Sequence, residues 1–200
     1  MPTLTLTPSA DAFLLSHEPD ANAGSTAAFW VGESSVWAQI YRGLIKFDLS
    51  SLPAGAEITS CVLSLYCYAD QSTNARTYRV YRQKRAWVEG QATWNIYSTG
   101  NSWQTAGGFG SSDCEQSDIG SRDFEASDGI GEFKHFSLTP VTKAALDLGN
   151  GWLIKADTEN SDAYYFYSSE WSTENQRPYL TIEYVGGVTA MQASYRRRRV

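Results

Sequence analysis

The chain has 200 residues, 42% of them hydrophobic and 14% aromatic, which suits one domain with a sizeable core, or a domain with a short arm, and excludes two such domains. Its 16 Lys and Arg residues against 22 Asp and Glu residues give a net charge of −6, so the body of the chain lacks the positive charge of a nucleic-acid-binding domain. Charged residues make up only 19%, and this composition predicts many short strands joined by polar turns.

The start of the chain and its cysteines indicate where the protein is made. No stretch approaches the roughly 18 apolar residues of a membrane helix, and residues 1–13 lack the pattern of a signal peptide. Cys61 and Cys67 are separated by about 20 Å in one predicted strand, which is too far for a disulfide between them. Cys114 could pair with either cysteine, but three free thiols are the preferred interpretation. We therefore expect synthesis in the cytoplasm without a signal peptide.

The first part of the chain predicts strands and one long loop. Strands are expected at residues 4–7, 29–31, 41–48 and 58–68. The loop surrounds the second strand, over residues 16–35, where Ser, Asn, Gly and Glu are frequent. In the last strand, period two places one set of residues on a buried face: Cys61, Leu63, Leu65 and Cys67.

The second part predicts a basic strand, a polar region and a C-terminal group of strands. The basic strand covers residues 77–87, and residues 89–131, including the acidic segment SSDCEQSDIGSRD, are expected to be mostly loop. Thr139 and Pro140 predict the N-cap and first residue of one short helix that closes at Gly149. Further strands are expected at residues 132–138, 152–156, 164–170 and 179–185.

These elements predict an all-β fold: a two-sheet antiparallel β-sandwich, or jelly roll, with one short helix and a C-terminal arm. The connections are too short for the crossovers of a parallel sheet. The domain is expected at residues 1–185 and the arm at residues 186–200.

Four segments resemble, in order, the DNRLRE-type domain, which is also classed among alginate-binding carbohydrate-binding modules. They are SHEPDANAGSTAAFWVG, RGLIKFDLSSLPAGAEITSCVLSLY, RAWVEGQATWN and FYSSE followed by RPYLTIEY. The resemblance runs over about residues 8–185 and implies a jelly-roll β-sandwich without catalysis of its own, attached to secreted, surface-attached or multi-domain proteins. This chain departs from that pattern, because it shows no export signal or further domain and its last residues lie outside the match.

The basic strand and the tryptophans after it form one candidate binding site. Guanidinium groups beside an aromatic plane suit an acidic polysaccharide. The candidate glycan-binding residues are Arg76, Tyr78, Arg79, Arg82, Lys84, Trp87 and Trp94. Two alternatives stay open: the cations could offset Asp and Glu on neighbouring strands, and the tryptophans could cover the open end of the core.

Catalytic and metal-binding patterns are missing from the sequence. His17 and His135 lie in no recognisable elbow or H-E-x-x-H spacing, the cysteines lack C-x-x-C spacing, and no glycine loop for phosphate precedes a helix pattern. Asp113, Glu115 and Asp118 are close together but lack the spacing of a calcium loop. The sequence predicts no enzyme, no metal and no cofactor.

The end of the chain is basic: Tyr195, Arg196, Arg197, Arg198 and Arg199. We expect this assembly arm to dock on an acidic neighbouring subunit, and expect no nucleic-acid or membrane partner. The resulting hypothesis is a non-enzymatic module, oligomeric in its assembly, acting on a virion as a capsid decoration or cement protein or a tail accessory protein. The alternative is a free carbohydrate-binding module for an acidic polysaccharide such as alginate.

Overall fold

The structure is a computed structural model, and it describes residues 1–36, 38–71, 74–125, 127–140 and 142–188. These residues form thirteen strands, one short α-helix and one turn of 3-10 helix at Glu174–Gln176. The strands are β1 (Thr3–Leu6), β2 (Pro8–Leu15), β3 (Ala28–Ser34), β4 (Gln39–Phe47), β5 (Ala54–Asp70), β6 (Arg76–Gln83), β7 (Ile96–Ser98), β8 (Asn101–Ser102), β9 (Cys114–Phe124), β10 (Glu132–Leu138), β11 (Trp152–Ala156), β12 (Ala163–Tyr167) and β13 (Tyr179–Val188). The helix α1 spans Lys143–Leu146.

Eight strands pair edge to edge in a closed circuit. Their order is β5, β10, β9, β6, β11, β4, β3 and β12, and β12 returns to pair with β5. The pairs are antiparallel, and β13 followed by β1 extends from β5 while β2 extends from β4. Closure satisfies the backbone groups of the central strands without leaving them free edges.

The all-β fold predicted from the sequence is confirmed, but hydrogen bonding joins the eleven main strands in one sheet rather than two, while β7 and β8 form a small separate pair. The reason lies in β5, which has 17 residues. Along its length β5 pairs first with β13, from Ala54 to Ser64, and then with β12, from Cys67 to Asp70. A single long strand therefore joins two groups of strands that separate sheets would keep apart.

Burial is organised in three clusters. The largest lies inside the circuit and contains Cys61, Leu63, Leu65 and Cys67, which confirms the face predicted for β5. A second cluster forms outside β11, where Leu153 packs under the segment that carries Trp87 and Trp103. A third cluster joins β2, β3, β4 and β12 around Phe13 and Tyr41.

Residues 114–124, predicted as loop, form the eleven-residue strand β9, so that prediction was wrong. The strand buries Ile119 and Phe124 in the inner core and Cys114 in the outer cluster, and it pairs along its length with β6. Polarity alone was misleading because the acidic side chains of β9 meet the basic side chains of β6 across the pair.

Three other differences separate the predicted elements from the observed ones. The helix is capped by Thr142, whose side chain accepts a hydrogen bond from the Ala145 amide, rather than by Thr139, and it ends at Leu146. The basic strand ends at Gln83 instead of continuing to residue 87. The strand β2, where Asp11 to Leu14 are buried, was not predicted at all.

Candidate functional site

The basic strand does not present free cations. The guanidinium of Arg79 lies 3.4 Å from the Asp118 carboxylate, and the Lys84 ammonium lies 3.4 Å from that of Glu115. Arg76 pairs with Asp162 at 2.9 Å. Arg82 donates a hydrogen bond from Nη1 to the carbonyl of Ala144. Of the two interpretations of this strand, offset of neighbouring acids is the one the structure supports.

The aromatic members of that predicted site are placed apart from its cations. Tyr78 is 0% exposed and its hydroxyl donates to the Asp162 carbonyl, and burial raises the Tyr78 pKa. Trp87 is 1% exposed and lies under the Lys46 ammonium, 4.1 Å from the ring centroid. Trp94 is half-buried beneath the Arg42 guanidinium, at 4.9 Å. Tyr78 and Trp87 therefore offer no ring face to a ligand.

The acidic residues considered as metal ligands and the residues of the predicted arm remain to be placed. Asp113 is buried and accepts hydrogen bonds from the amides of Gln104 and Thr105, so it organises a loop. Across the described ranges, no group of three or more His, Cys, Asp or Glu side chains is arranged to hold a metal ion. The arm residues Tyr195 and Arg196 to Arg199 lie outside the described residues.

A different surface concentrates half-buried aromatic rings, and we call it the aromatic face. Its rings come from β3, β5, β10, β12, β13 and the segment between the last two strands. The members are Trp30, Tyr66, Tyr68, Phe133, Tyr165, Tyr167, Trp171 and Tyr179. Each strand member alternates with a buried residue of the internal core, such as Phe166 between Tyr165 and Tyr167. Period two therefore places these rings on the outer side of the circuit.

Within the aromatic face, four rings form a stack. Tyr167 is at its centre, with the Tyr68 centroid at 4.6 Å and an interplanar angle of 14°, and the Tyr66 centroid at 5.8 Å and 16°. Trp171 lies parallel to Tyr167, at 3.9 Å and 4°. Since other rings flank Tyr167, it presents edges to solvent, whereas Trp171 has no second ring or cation against it among the described residues.

The remaining members extend the stack on both sides. Phe133 meets Tyr66 edge to face at 5.2 Å and Tyr179 at 5.0 Å. On the opposite side, the Trp30 indole donates to the Tyr68 hydroxyl at 2.8 Å and packs on Tyr165 at 5.0 Å. The face is thus a continuous band across several strands, which lie about 4.8 Å apart.

Trp171 is held in place by its own segment. Its indole Nε1 donates to the Gln176 side chain at 2.9 Å, and its carbonyl accepts from Arg177 Nε at 2.6 Å. Its amide donates to the Ser168 carbonyl at 3.3 Å. A ring with its position and orientation already determined loses little conformational entropy when a ligand packs on it.

One serine and one histidine also meet on this face. Ser64 Oγ lies 2.8 Å from His135 Nδ1, but Ser64 is 1% exposed. No described carboxylate is hydrogen-bonded to the other His135 ring nitrogen. The pair lacks both the accessible nucleophile and the orienting acid that nucleophilic catalysis uses.

The aromatic face was missed by reasoning from sequence, although a signal existed. In β5 the buried face was predicted from alternation, and Tyr66 and Tyr68 lie on the opposite face of the same strand. The same outward pattern recurs at Tyr165 and Tyr167. Counting outward aromatics in each strand would have found the components, but only the pairing of β12 with β5 brings them together.

Comparison with known proteins gives one family. The family described as Disaggregatase related repeat domain matches residues 12–182. No curated protein matches the chain. The DNRLRE-type resemblance is a different assignment and stays a prediction. No helix of the described ranges has the length and apolarity needed to cross a membrane.

Proposed function

Because the chain belongs to the disaggregatase-related repeat domain family and carries the aromatic face, we propose that it is a non-enzymatic module that binds a polysaccharide on that face. The observation that carries the proposal is the ring stack that ends at Trp171. Sugar rings have apolar C–H faces bordered by hydroxyls, so they pack on aromatic planes while their edges form hydrogen bonds. A preorganised tryptophan beside tyrosine edges offers both kinds of contact.

The word repeat in the family description is the part that agrees with a binding role. The description names a repeat domain related to disaggregatases. Repeated copies of a binding domain raise avidity for a polymer, because each bound copy increases the effective concentration of the next. The Ser64 and His135 geometry described above adds no support for catalysis, and absence of enzymatic activity stays a prediction.

The jelly-roll description remains part of this proposal. Two junctions of the circuit are irregular: β9 meets β10 only at Gly120 and Ser121, and the pairing of β12 with β5 shifts register between Tyr165 and Phe166. We propose that these junctions divide the circuit into two packed layers. The aromatic face would then lie across the edge where β12 approaches β5.

The assembly hypothesis is a second proposal and rests on the arm. A virion decoration, cement or tail accessory protein docked through the arm would lose partner binding when residues 189–200 are removed. A polysaccharide-binding module that uses the aromatic face would keep its affinity in the same truncation. The four arginines of the arm favour an acidic partner, which the truncation also tests.

The proposed function is tested by Trp171→Ala, with Trp94→Ala as the matched control. Both tryptophans are half-buried, but Trp94 lies under Arg42, away from the aromatic face. We expect Trp171→Ala to weaken polysaccharide binding about tenfold or more, as loss of a central aromatic anchor commonly does. Binding is measured by affinity electrophoresis through polysaccharide-containing gels, with circular dichroism as the check on folding.

The two variants separate the possible sites. Equal loss in Trp94→Ala, with the fold intact, would place the ligand near Trp94 and Arg42 instead. Full affinity in Trp171→Ala would contradict the proposal, because the outer face of Trp171 is its central contact.

A further inference from the structure

We infer that the aromatic face selects an uncharged polysaccharide and rejects polyuronates such as alginate. This inference rests on the proposed function and deepens it by naming the ligand class. It departs from the sequence-based alternative, in which a basic strand receives an acidic polymer.

The segments that carry the aromatic rings have an excess of acids. Within these segments the carboxylates are those of Glu33, Glu57, Asp70, Glu132, Glu170, Glu174 and Glu183, and the cations are Lys134 and Arg177. Lys134 is 0% exposed, and its ammonium lies 2.6 Å from Glu132. Lys134 is therefore not placed to receive a polyanion, and Arg177, which donates from Nε to the Trp171 carbonyl, is the one cation left against the carboxylates of these segments.

Charge repulsion then acts at every repeat of a charged polymer. Like charges repel one another, and the repulsion is stronger near a protein surface than in bulk water. A polyuronate carries one carboxylate on each sugar, so it meets this cost repeatedly along the band. An uncharged chain does not, and the net charge of −6 reinforces the discrimination at longer range.

The remaining outward side chains supply neutral hydrogen-bonding groups. The outward positions of β5, β10 and β13 around the rings include Ser60, Ser137 and Thr181. The hydroxyl of Tyr66 donates to the Gly131 carbonyl, and that of Tyr68 accepts from Trp30. Such hydroxyls can donate to and accept from sugar hydroxyls without a charge.

The same rows argue against a protein as the occupant. Aliphatic side chains are scarce on the outer side of these strands. Val62 is the aliphatic residue among the outward positions of β5, β10, β12 and β13, which are the alternate residues of 60–68, 133–137, 165–167 and 179–183. Stable protein interfaces have an apolar, well-packed centre with aliphatic as well as aromatic side chains. A surface of rings, hydroxyls and carboxylates fits a hydrated sugar polymer better.

The experiment compares gels containing a neutral β-glucan, a neutral mannan or alginate, each at low and at high salt. We expect the full chain to be retarded by at least one neutral polymer, equally at both salt concentrations, and not by alginate at low salt, where charge repulsion is least screened. In Trp171→Ala the neutral retardation should fall about tenfold in apparent affinity. The double variant Arg79→Ala with Lys84→Ala, which removes two surface ion pairs to β9 and the Lys84 hydrogen bond to the Ser111 carbonyl, should behave as the parent.

A second variant tests charge as the cause. Glu170→Gln with Glu174→Gln keeps the size of both side chains and removes two negative charges beside Trp171. We expect the affinity of this variant for the neutral polymer to be unchanged. Alginate should retard the variant at low salt, and high salt should not increase that retardation.

The outcomes distinguish this inference from the proposed function. Alginate retardation of the parent chain that Trp171→Ala abolishes would overturn the inference and leave the proposed function standing. Alginate retardation that Arg79→Ala with Lys84→Ala abolishes would overturn the inference and move the site to the basic strand. No retardation by any neutral or acidic polymer would overturn the proposed function and the inference with it.

Discussion

Trp87 and Trp171 are the same residue type in two different roles. Trp87 is 1% exposed and its indole donates to the Asn150 carbonyl, so it completes the outer cluster. Trp171 is half-buried and ends a ring stack at the surface. Trp87 lies between Ala86 and Val88, and Trp171 lies between Glu170 and Ser172. The burial of each ring assigns the first to packing and leaves the second available for the proposed binding.

Asp11 predicts how stability depends on pH. It is 1% exposed, and burial raises the pKa of its carboxyl from 3.8 to about 7, although the Ser169 amide donates to it. Because the folded-state pKa is the higher one, the stabilising contribution is complete below pH 3.8 and is lost as pH rises to about 7. Each pKa unit corresponds to about 1.4 kcal/mol, so the total loss is at most a few kcal/mol.

We expect Asp11→Asn to remove this part of the pH dependence. The difference in free energy of unfolding, variant minus parent, should be larger at about pH 8 than at about pH 5, because only the parent loses stability over this range. Urea denaturation at each pH measures it. A stability difference between variant and parent that is the same at both pH values would contradict the prediction.

The junction between β9 and β10 is the element on which closure of the circuit depends. Gly120 lies opposite Leu138, and a Cβ at Gly120 would lie 2.2 Å from the Ser137 carbonyl oxygen. The obstructing atom belongs to the backbone, so no side-chain rotation relieves the contact. A glycine is therefore required there by the close approach of two strands.

We predict that Gly120→Ala destabilises the protein by about 1–3 kcal/mol or more, because the two strands must separate. Gly90→Ala is the matched control, since a Cβ at Gly90 has nothing within 4 Å, and its effect should stay within about 0.5 kcal/mol. Urea denaturation measures both. Equal stability of the two variants would show that β9 and β10 do not close the circuit.

At the scale of the whole molecule, the circuit protects three free thiols. Cys61, Cys67 and Cys114 are buried and unpaired, and burial raises the pKa of each thiol to about 12. The thiolate is the reactive form, so the native protein should react slowly with iodoacetamide at pH values near neutral. This agrees with the preferred interpretation of three free cysteines.

We predict that the three thiols become reactive together. Because the strands that carry them belong to one closed circuit, exposure requires global unfolding, and mass spectrometry during mild urea treatment should detect unlabelled and fully labelled chains. Early labelling of Cys114 alone would instead show that β9 opens separately from β5.

The strands and the buried side of each were accessible from sequence because period two is a local property. Cys61 to Cys67 in β5, with Leu180 and Ile182 in β13, were assigned to the core before any partner strand was known, and they are buried. The same approach failed for β9, whose polar residues are balanced by β6. The local pattern of a strand does not show which distant strand it pairs with.

The candidate site depended on tertiary structure for the same reason. Alternation shows that Tyr68, Tyr167 and Trp30 point outward, but not that the first two stack at 4.6 Å or that the third donates to Tyr68. Composition shows that the β6 strand is basic, but not that β9 pairs with its cations. Local side-chain direction is set by the backbone of one strand, whereas proximity and charge balance are set by which strands pair, and pairing is decided by the closed circuit as a whole.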